Sequence, residues 1–343
     1  MTPSTDKNNK LTVVPPEKKL IEDIKPQPTK NRTQIGVVHL TLDEKTAVKA
    51  VGQVYGLEHQ ISDEGFNASI FLDHYNQRIK VLNYDGNDIS SFTKRLNWLA
   101  QANGFDKIFC MATRADWQKY LKHGYVLEAL IKYYHQGEDA FLMSKFLSQD
   151  RITSHCLMEE ISLIENLLET EVTPPGDKKL AEGYTLRLAQ RTDIESLVNL
   201  YQTIFETYPS PLIHEDYLRT VFQKETLFAV IVNNEKKIVS AASAELNPKS
   251  LSAELTDCAT LKSERGKGLM SVILIFLENE LREKKYLCAY TIARARSYGM
   301  NNTFYHLQYE FMGRLINNCD IYGAYEDMNI WVKKLSTDTD AKI

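Results

Sequence analysis

The sequence has few cysteines and histidines, and neither type is clustered. Its five cysteines are scattered and none belongs to a CxxC pair, which argues against a zinc site or a disulfide framework. The eight histidines show no HxxxH or HxH spacing, so we expect no metal. No apolar run approaches the ~20 residues that span a bilayer, and the polar first residues lack a signal-peptide core. These absences predict a cytoplasmic protein.

An excess of charge of one sign is also missing. The chain carries 41 Lys and Arg against 45 Asp and Glu, a net charge of -4. Nucleic acids and anionic membranes attract basic surfaces, so we expect neither as a partner. A chain of 343 residues is longer than most domains with a single hydrophobic core, which favours two domains.

Composition and hydrophobic pattern divide the chain into segments. The predicted segments are a disordered tail at 1–34, an N-terminal domain at 35–150, a helical connector and linker at 151–183, a second domain at 184–335 and a short tail at 336–343. The linker contains the helix-breaking run Thr173-Pro174-Pro175-Gly176-Asp177. Within the second domain, strands and helices alternate in a way typical of a mixed, mostly antiparallel sheet, an α+β fold. We predict that Asp193 caps its first helix, which runs to about Tyr208.

The two domains share a long repeat. A helix end and strand at 99–114 resemble 281–294. Two further pairs follow, 124–128 with 308–312 and 138–145 with 326–333. The repeat predicts a duplicated fold. The first copy has Tyr84-Asp85-Gly86-Asn87-Asp88 where the second has a glycine loop, so we expect the chemistry in the second copy.

That glycine loop is Arg265-Gly266-Lys267-Gly268, between the strand predicted at 252–260 and the helix predicted at 270–283. A helix N-terminus offers backbone N–H groups and the positive end of a dipole to an anion, and glycine allows a close approach. Taken alone, Gly-x-Gly is also typical of a plain strand-to-helix turn. It is neither a P-loop, since no Gly-Lys-Ser/Thr ends it, nor a Rossmann fingerprint, since the third glycine is missing.

In this setting the motif resembles the pyrophosphate loop of the GNAT N-acetyltransferases, and the resemblance covers 184–335. More narrowly, several runs resemble the bacterial and archaeal β-lysine N-acetyltransferases. The runs are Ala241–Glu245, Ala253–Thr260, Ala289–Ala295, Gly299–Thr303, Leu315–Asn318 and Glu326–Trp331, with Asp73–Arg78 and Gly137–Ala140 in the first domain.

The resemblance implies tandem GNAT-like domains, of which the N-terminal copy is degenerate. It also implies direct acetyl transfer, in a ternary complex, from acetyl-CoA to the N6 amine of β-lysine. The product, N-ε-acetyl-β-lysine, is a compatible solute, which implies a role in osmoadaptation and a pathway link to a lysine aminomutase. A homodimer is a further expectation.

Acetyl transfer needs a neutral amine, yet an alkylamine with a pKa near 10 is protonated at pH 7. The candidate bases are Glu254 and Asp257 before the loop and Glu245 on the neighbouring strand. Because Glu254 and Asp257 are three residues apart, a regular strand places them on opposite faces. We favour Glu254 as the general base, and Glu245 and Asp257 as partners of the substrate's ammonium groups.

The resemblance assigns the remaining site residues. Acetyl-CoA is expected to contact Ala259, Thr260, Leu261, Arg265, Gly266, Lys267, Gly268, Leu269 and Asn302. Phe304 occupies the position where the superfamily often has its general-acid tyrosine, so Tyr305 or Tyr298 is the candidate. Arg294 or Arg296 is expected to pair with the substrate carboxylate, and Asp327 with an ammonium group.

The sequence is also consistent with two other functions. The same fold can acetylate a different acceptor, such as another diamine, an amino acid or a protein lysine. Alternatively, the chain is a non-catalytic acyl-CoA-binding protein, although the intact loop and the acidic strand argue against this.

Overall fold

The computed structural model of the chain describes residues 36–52, 55–172, 180–205, 208 and 210–335. The tails predicted at 1–34 and 336–343 and the run Thr173–Asp177 lie outside the described residues.

The chain folds into strands and helices that alternate along both halves. The strands are β1 (Gly36–Thr41), β2 (Ala47–Gly52), β3 (Leu57–Asp63), β4 (Phe66–Asp73), β5 (Arg78–Gly86), β6 (Lys107–Ala112), β7 (Val126–His135), β8 (Glu138–Phe146), β9 (Tyr184–Leu188), β10 (Thr226–Asn233), β11 (Ile238–Asn247), β12 (Ser252–Thr260), β13 (Cys288–Arg294), β14 (Glu310–Ile321) and β15 (Ala324–Lys334). The helices are α1 (Ile89–Ala102), α2 (Trp117–Leu121), α3 (Gln149–Ile152), α4 (Leu157–Leu168), α5 (Ile194–Ile204), α6 (Glu215–Val221), α7 (Leu269–Glu283) and α8 (Tyr298–His306).

One continuous sheet organises both halves. Its order is β3-β4-β5-β6-β8-β7-β14-β15-β13-β12-β11-β10-β9, while β1 and β2 pair with each other. Neighbouring strands are antiparallel, except for the parallel pairs β5–β6 and β12–β13. A mixed sheet flanked by helices confirms the predicted α+β class. No helix in the described ranges is both long and apolar enough to cross a membrane.

The two halves of the sheet repeat one strand order. The series β4-β5-β6-β8-β7 has the same order and directions as β11-β12-β13-β15-β14. The halves meet where β7 pairs with β14, at Ala129 and Gly313. Gly313 has a φ of +130°, and a Cβ there would lie 2.5 Å from the carbonyl oxygen of Glu128. Glycine therefore permits the close contact between the halves.

Helices cover the two faces of the second half. On one face α4, α7 and α8 enclose a core around Leu274 and Trp331, and on the other α5 and α6 enclose Leu197 and Phe228. In the first half, α1 covers a separate core. A further cluster joins the halves, since Phe109 of β6 belongs to the same buried group as Tyr290 of β13. The faces that carry this cluster therefore turn toward one another.

Asp193 lies at the N-cap position of α5, as predicted, but its side chain bonds elsewhere. It ends a short 3-10 turn, and its carboxylate accepts hydrogen bonds from the Gln190 N–H at 2.7 Å and from the Arg187 guanidinium at 2.6 and 2.9 Å. No cap bond from its side chain to α5 is present. The helix itself ends at Ile204, short of the predicted Tyr208, because the Phe205 backbone is already extended.

Candidate active site

The parallel strands β12 and β13 pair over a short distance and then separate. The partners are Ser252 with Cys288, Ala253 with Ala289 and Glu254 with Tyr290. Both strands continue beyond the last pair, β12 to Thr260 and β13 to Arg294, but they no longer pair with each other. The sheet thus opens into a wedge with its apex at Glu254. The β12 side of the wedge includes the predicted residues Ala259 and Thr260.

A β-bulge in β12 changes which side chains share a face. The pairing with β11 shifts by one residue at Asp257, whose φ is +54°. Thr256 lies opposite Ser243, and the Ser243 hydroxyl donates to Asp257 at 2.6 Å. Asp257 is therefore on the same face as Thr256 and Glu254. The prediction of opposite faces was wrong, because it assumed a regular strand.

Three carboxylates gather on this face at the apex. Glu245 lies directly opposite Glu254, and the buried Asp257 also accepts a hydrogen bond from the Tyr208 hydroxyl at 3.1 Å. Burial first, and then the negative charge of Glu245, raise the pKa of Glu254 to about 7, and the same causes raise the pKa of Asp257. A hydrogen bond from Tyr290 lowers the pKa of Glu254 and so opposes part of this increase. A carboxyl that titrates near neutrality suits a general base.

Tyrosines from both halves surround the carboxylates. Tyr290 is buried beside Glu254, and Tyr134 of β7 meets its ring edge-on with centroids 5.7 Å apart. The Asn247 amide donates to the Tyr134 hydroxyl at 3.4 Å. The sequence did not indicate Tyr134 as a residue of this site. Nothing local in β7 indicates that it reaches the second half.

The glycine loop has the backbone that an anion site requires. Gly266 and Gly268 have φ values of +80° and +74°, and a Cβ at either would meet nothing within 4 Å. The glycines therefore serve backbone conformation and not close packing. Among the described residues no side chain caps α7, and its first turn contains no acidic residue. The N–H groups that begin α7 at Leu269 are thus available to a phosphate.

The charged residues of the loop contact the protein as well. The Lys267 ammonium donates to Glu264 and to the Tyr184 hydroxyl, both at 2.8 Å, which ties the loop to β9. Arg265 is exposed, and its Nε donates to the Thr260 carbonyl at 3.4 Å. Leu269 is buried in the core under α7 and anchors the loop's far end.

Two other residues that are predicted to contact acetyl-CoA lie just after β12 and on α8. The Leu261 N–H donates to the Val239 carbonyl at 2.9 Å, so that it continues the β11 pairing. Asn302 is half-buried on α8, where its carbonyl meets the His306 ring at 3.0 Å.

The two candidate general acids differ in their surroundings. The Tyr305 hydroxyl donates to the carbonyls of Leu168 and Thr170 at 3.2 and 2.8 Å, so it holds the end of α4. Tyr298, the first residue of α8, is 57% exposed. Phe304 is buried in the core beneath α8.

The predicted charged partners of the substrate already have partners in the protein. Arg294 forms a bidentate pair with Glu326 at 2.7 and 2.8 Å. The buried Asp327 accepts from the Asn317 N–H at 2.6 Å and lies beside Glu160 of α4. The charge of Arg296 also acts on Glu160. Asp327 and Arg296 thus act on Glu160 of α4, whereas the three carboxylates of the apex lie on β11 and β12.

We expect Glu160→Gln to remove a loss of stability at alkaline pH. Burial first, and then the charge of Asp327, raise the pKa of Glu160 to about 8, although Arg314 lies 3.5 Å away. The stability that its protonated form provides is complete below the unfolded pKa and is lost as pH rises through about 8. Between pH 6 and pH 9 the wild-type Tm should fall by roughly 2–6 °C more than that of the variant. Exposed Glu159→Gln is the control, and parallel Tm curves for Glu160→Gln and wild type would contradict the assignment.

The fold and the site together define a class of enzyme. A diphosphate fits the N-terminus of α7, and an extended amide-bearing arm fits a wedge whose edge offers strand-like hydrogen bonds. Acyl-CoA has both parts, and the carboxylates at the apex accept protons from an amine. The arrangement is that of an acyl-CoA-dependent N-acyltransferase.

Comparison with known proteins agrees with this class. The family model described as the acetyltransferase (GNAT) family matches residues 194–300. The chain is 38% identical over 231 residues to the β-lysine N(6)-acetyltransferase of Methanosarcina mazei, covering 62% of this chain and 85% of the relative. It is 34% identical over 275 residues to the N-acetyltransferase YodP of Bacillus subtilis, covering 80% and 98%. A solved spermidine N-acetyltransferase from Vibrio cholerae, in complex with CoA and spermine, shares 17% identity over 46% of this chain and 98% of its own, with a TM-score of 0.40.

The chain belongs to the GNAT family of acetyltransferases. It is an acetyl-CoA-dependent N-acetyltransferase with the mixed sheet of that fold.

Proposed function

We propose that the chain transfers the acetyl group of acetyl-CoA to the N6 amine of β-lysine. The observation that carries this proposal is the group of three carboxylates, Glu245, Glu254 and Asp257, at the apex of the wedge. β-Lysine has two ammonium groups, which are attracted by the negative charge of these carboxylates. Two relatives of the chain carry the name β-lysine N(6)-acetyltransferase.

The chain's residues then have distinct roles. Glu254 removes the proton from the attacking amine, directly or through water, because its raised pKa lets it accept a proton near neutral pH. Glu245 and Asp257 hold the ammonium groups. Backbone N–H groups near Cys258 to Leu261 stabilise charge on the thioester oxygen, apart from the Leu261 N–H, which donates to the Val239 carbonyl. The acetyl group arrives on CoA, whose diphosphate the loop at 265–268 and the start of α7 hold.

The first half is, in this proposal, a degenerate second copy of the GNAT fold. The repeated strand order and parallel pair support it, as does the absence of an Arg-Gly-x-Gly sequence before α1. The domain boundaries follow as 35–150 and 184–335, with 151–183 as the connector. Tyr305 or Tyr298 stays a prediction for the general acid, as do Asn302 for CoA and Arg294, Arg296 and Asp327 for the acceptor.

The proposed product, N-ε-acetyl-β-lysine, fits a role as a compatible solute in the cytoplasm. An aminomutase that converts lysine to β-lysine would supply the acceptor. A homodimer belongs to the same proposal.

The test is acetylation with purified protein, acetyl-CoA and one acceptor at a time. We expect rapid CoA release with β-lysine and slow release with α-lysine, and fragmentation of the product should place the acetyl group on N6. Clear turnover of α-lysine or a polyamine, together with none of β-lysine, would overturn the proposal.

A further inference from the structure

Lys80 of the first half faces the same space as Glu254. Its neighbours on β5, Ile79 and Val81, are buried in the core of the first half, so alternation turns Lys80 to the opposite face. Its partner across the parallel pair is Phe109, which belongs to the buried cluster that joins the halves. Tyr290, the partner of Glu254, belongs to that cluster too.

Lys80 and Glu254 occupy the same position in the two repeats. Each is the third and last residue of its strand to pair in the parallel register, in β5 with Phe109 and in β12 with Tyr290. Each is also flanked by two residues buried under the following helix. Where the second half has its carboxylate, the first half thus has an ammonium group.

Contacts between the two halves place the first half, which carries Lys80, over the wedge. The Gln136 N–H donates to the Ser250 carbonyl at 2.8 Å and its side chain to the Lys249 carbonyl at 2.9 Å. Tyr134 packs on Tyr290. The positive charge of Lys80 accordingly acts on Glu254.

Lys80 differs from the other cations on this face of the first half. Arg78 is held by Asp73 at 2.8 Å, and Lys107 by Glu128 at 3.0 Å, and both cations are buried. Lys80 is half-buried, and no carboxylate of the described residues lies within 4.0 Å of its ammonium. Its charge acts on Glu254 without an ion pair between the two side chains.

We infer that Lys80 takes the role predicted for Arg294 or Arg296: it binds the carboxylate of the acceptor and so fixes which amine reaches the thioester. Arg294, by contrast, already pairs with Glu326. This inference rests on the proposed function. β-Lysine has two ammonium groups and one carboxylate. Its ammonium groups are complementary to the three carboxylates of the apex, and its carboxylate is complementary to Lys80. Held at its carboxylate end by Lys80, the acceptor extends its distal amine toward Glu254. A diamine without a carboxylate gives Lys80 no partner and is disfavoured.

The test compares two acceptors in wild type and Lys80→Met. One is β-lysine, and the other is 1,4-diaminopentane, which is β-lysine without its carboxyl group. A charge-assisted hydrogen bond predicts that kcat/KM for β-lysine falls by roughly 10- to 100-fold. For the diamine, kcat/KM should stay the same or rise, and the KM for acetyl-CoA should not change. Lys80→Arg should restore part of the preference, and exposed Lys122→Met should behave as wild type.

An equal loss with both acceptors would overturn the inference, because Lys80 would then act through Glu254 or through the fold. An unchanged kcat/KM for β-lysine would overturn it as well. Both results leave the proposed function intact if the wild type acetylates β-lysine. Wild-type turnover of the diamine without turnover of β-lysine would instead overturn the proposed function and the inference together.

Discussion

Glu254→Gln is expected to lower kcat at pH 7 by about 100- to 1000-fold, the usual contribution of a general base. The amide keeps the size of the side chain and can still accept a hydrogen bond from Tyr290, but it cannot take the amine proton. The loop proposed to hold CoA is untouched, so the KM for acetyl-CoA should stay within about twofold. Steady-state kinetics with both substrates varied provides the measurement.

The pH profile distinguishes a lost base from a damaged pocket. The base acts in its deprotonated form, and its pKa is raised to about 7, so wild-type activity should rise with pH through about 7 and then level off. The variant should lose this rise and regain rate only as the free amine itself deprotonates. Glu235→Gln, in the exposed turn after β10, is the matched control. Retained activity in Glu254→Gln, with the rise near pH 7 intact, would move the role of base to Asp257 or Glu245.

Local pattern was sufficient to predict several elements of the second half of the chain. Strand β12 begins and ends at the predicted residues, and α7 begins one residue earlier than predicted. These elements have clear alternation or helical periodicity and end at polar or glycine-containing turns, so their limits are encoded locally. The glycine loop was found for the same reason, since its chemistry depends on a few consecutive residues.

The arrangement of the carboxylates could not be predicted in this way. A bulge is a property of pairing between strands, and only the register with β11 shows that Asp257 turns to the face of Glu254. The position of Arg294 depends likewise on Glu326, which lies on another strand. Sequence spacing gives residue types along one strand, whereas these contacts follow from which strands lie side by side.

The contribution of the first half was missed for a related reason. Lys80 and Tyr134 are ordinary residues of their strands, and their relation to Glu254 and Tyr290 appears only when the two halves of the sheet face each other. The repeat in the sequence predicted a duplicated fold, and the two halves of the sheet share one strand order. It did not indicate that equivalent positions of the two halves would face one space.

Gly268→Asp is expected to raise the KM for acetyl-CoA on the order of 100-fold, while Gly268→Asn should raise it less than about fivefold. Gly268 precedes α7 with a φ of +74°, a conformation that Asn and Asp tolerate better than other side chains. The two variants have nearly the same shape and the same backbone strain. They differ by one negative charge at the point where the diphosphate is proposed to lie.

A loss of stability would not explain such a difference, because a carboxylate at a helix N-terminus favours the helix. The Tm of Gly268→Asp should therefore equal or exceed that of Gly268→Asn, even though its KM is far higher. Calorimetric titration with CoA should show the same order of affinities without any acceptor. Equal KM values for the two variants would mean that the negative charge of the cofactor lies elsewhere, and the loop would then be only the turn that joins β12 to α7.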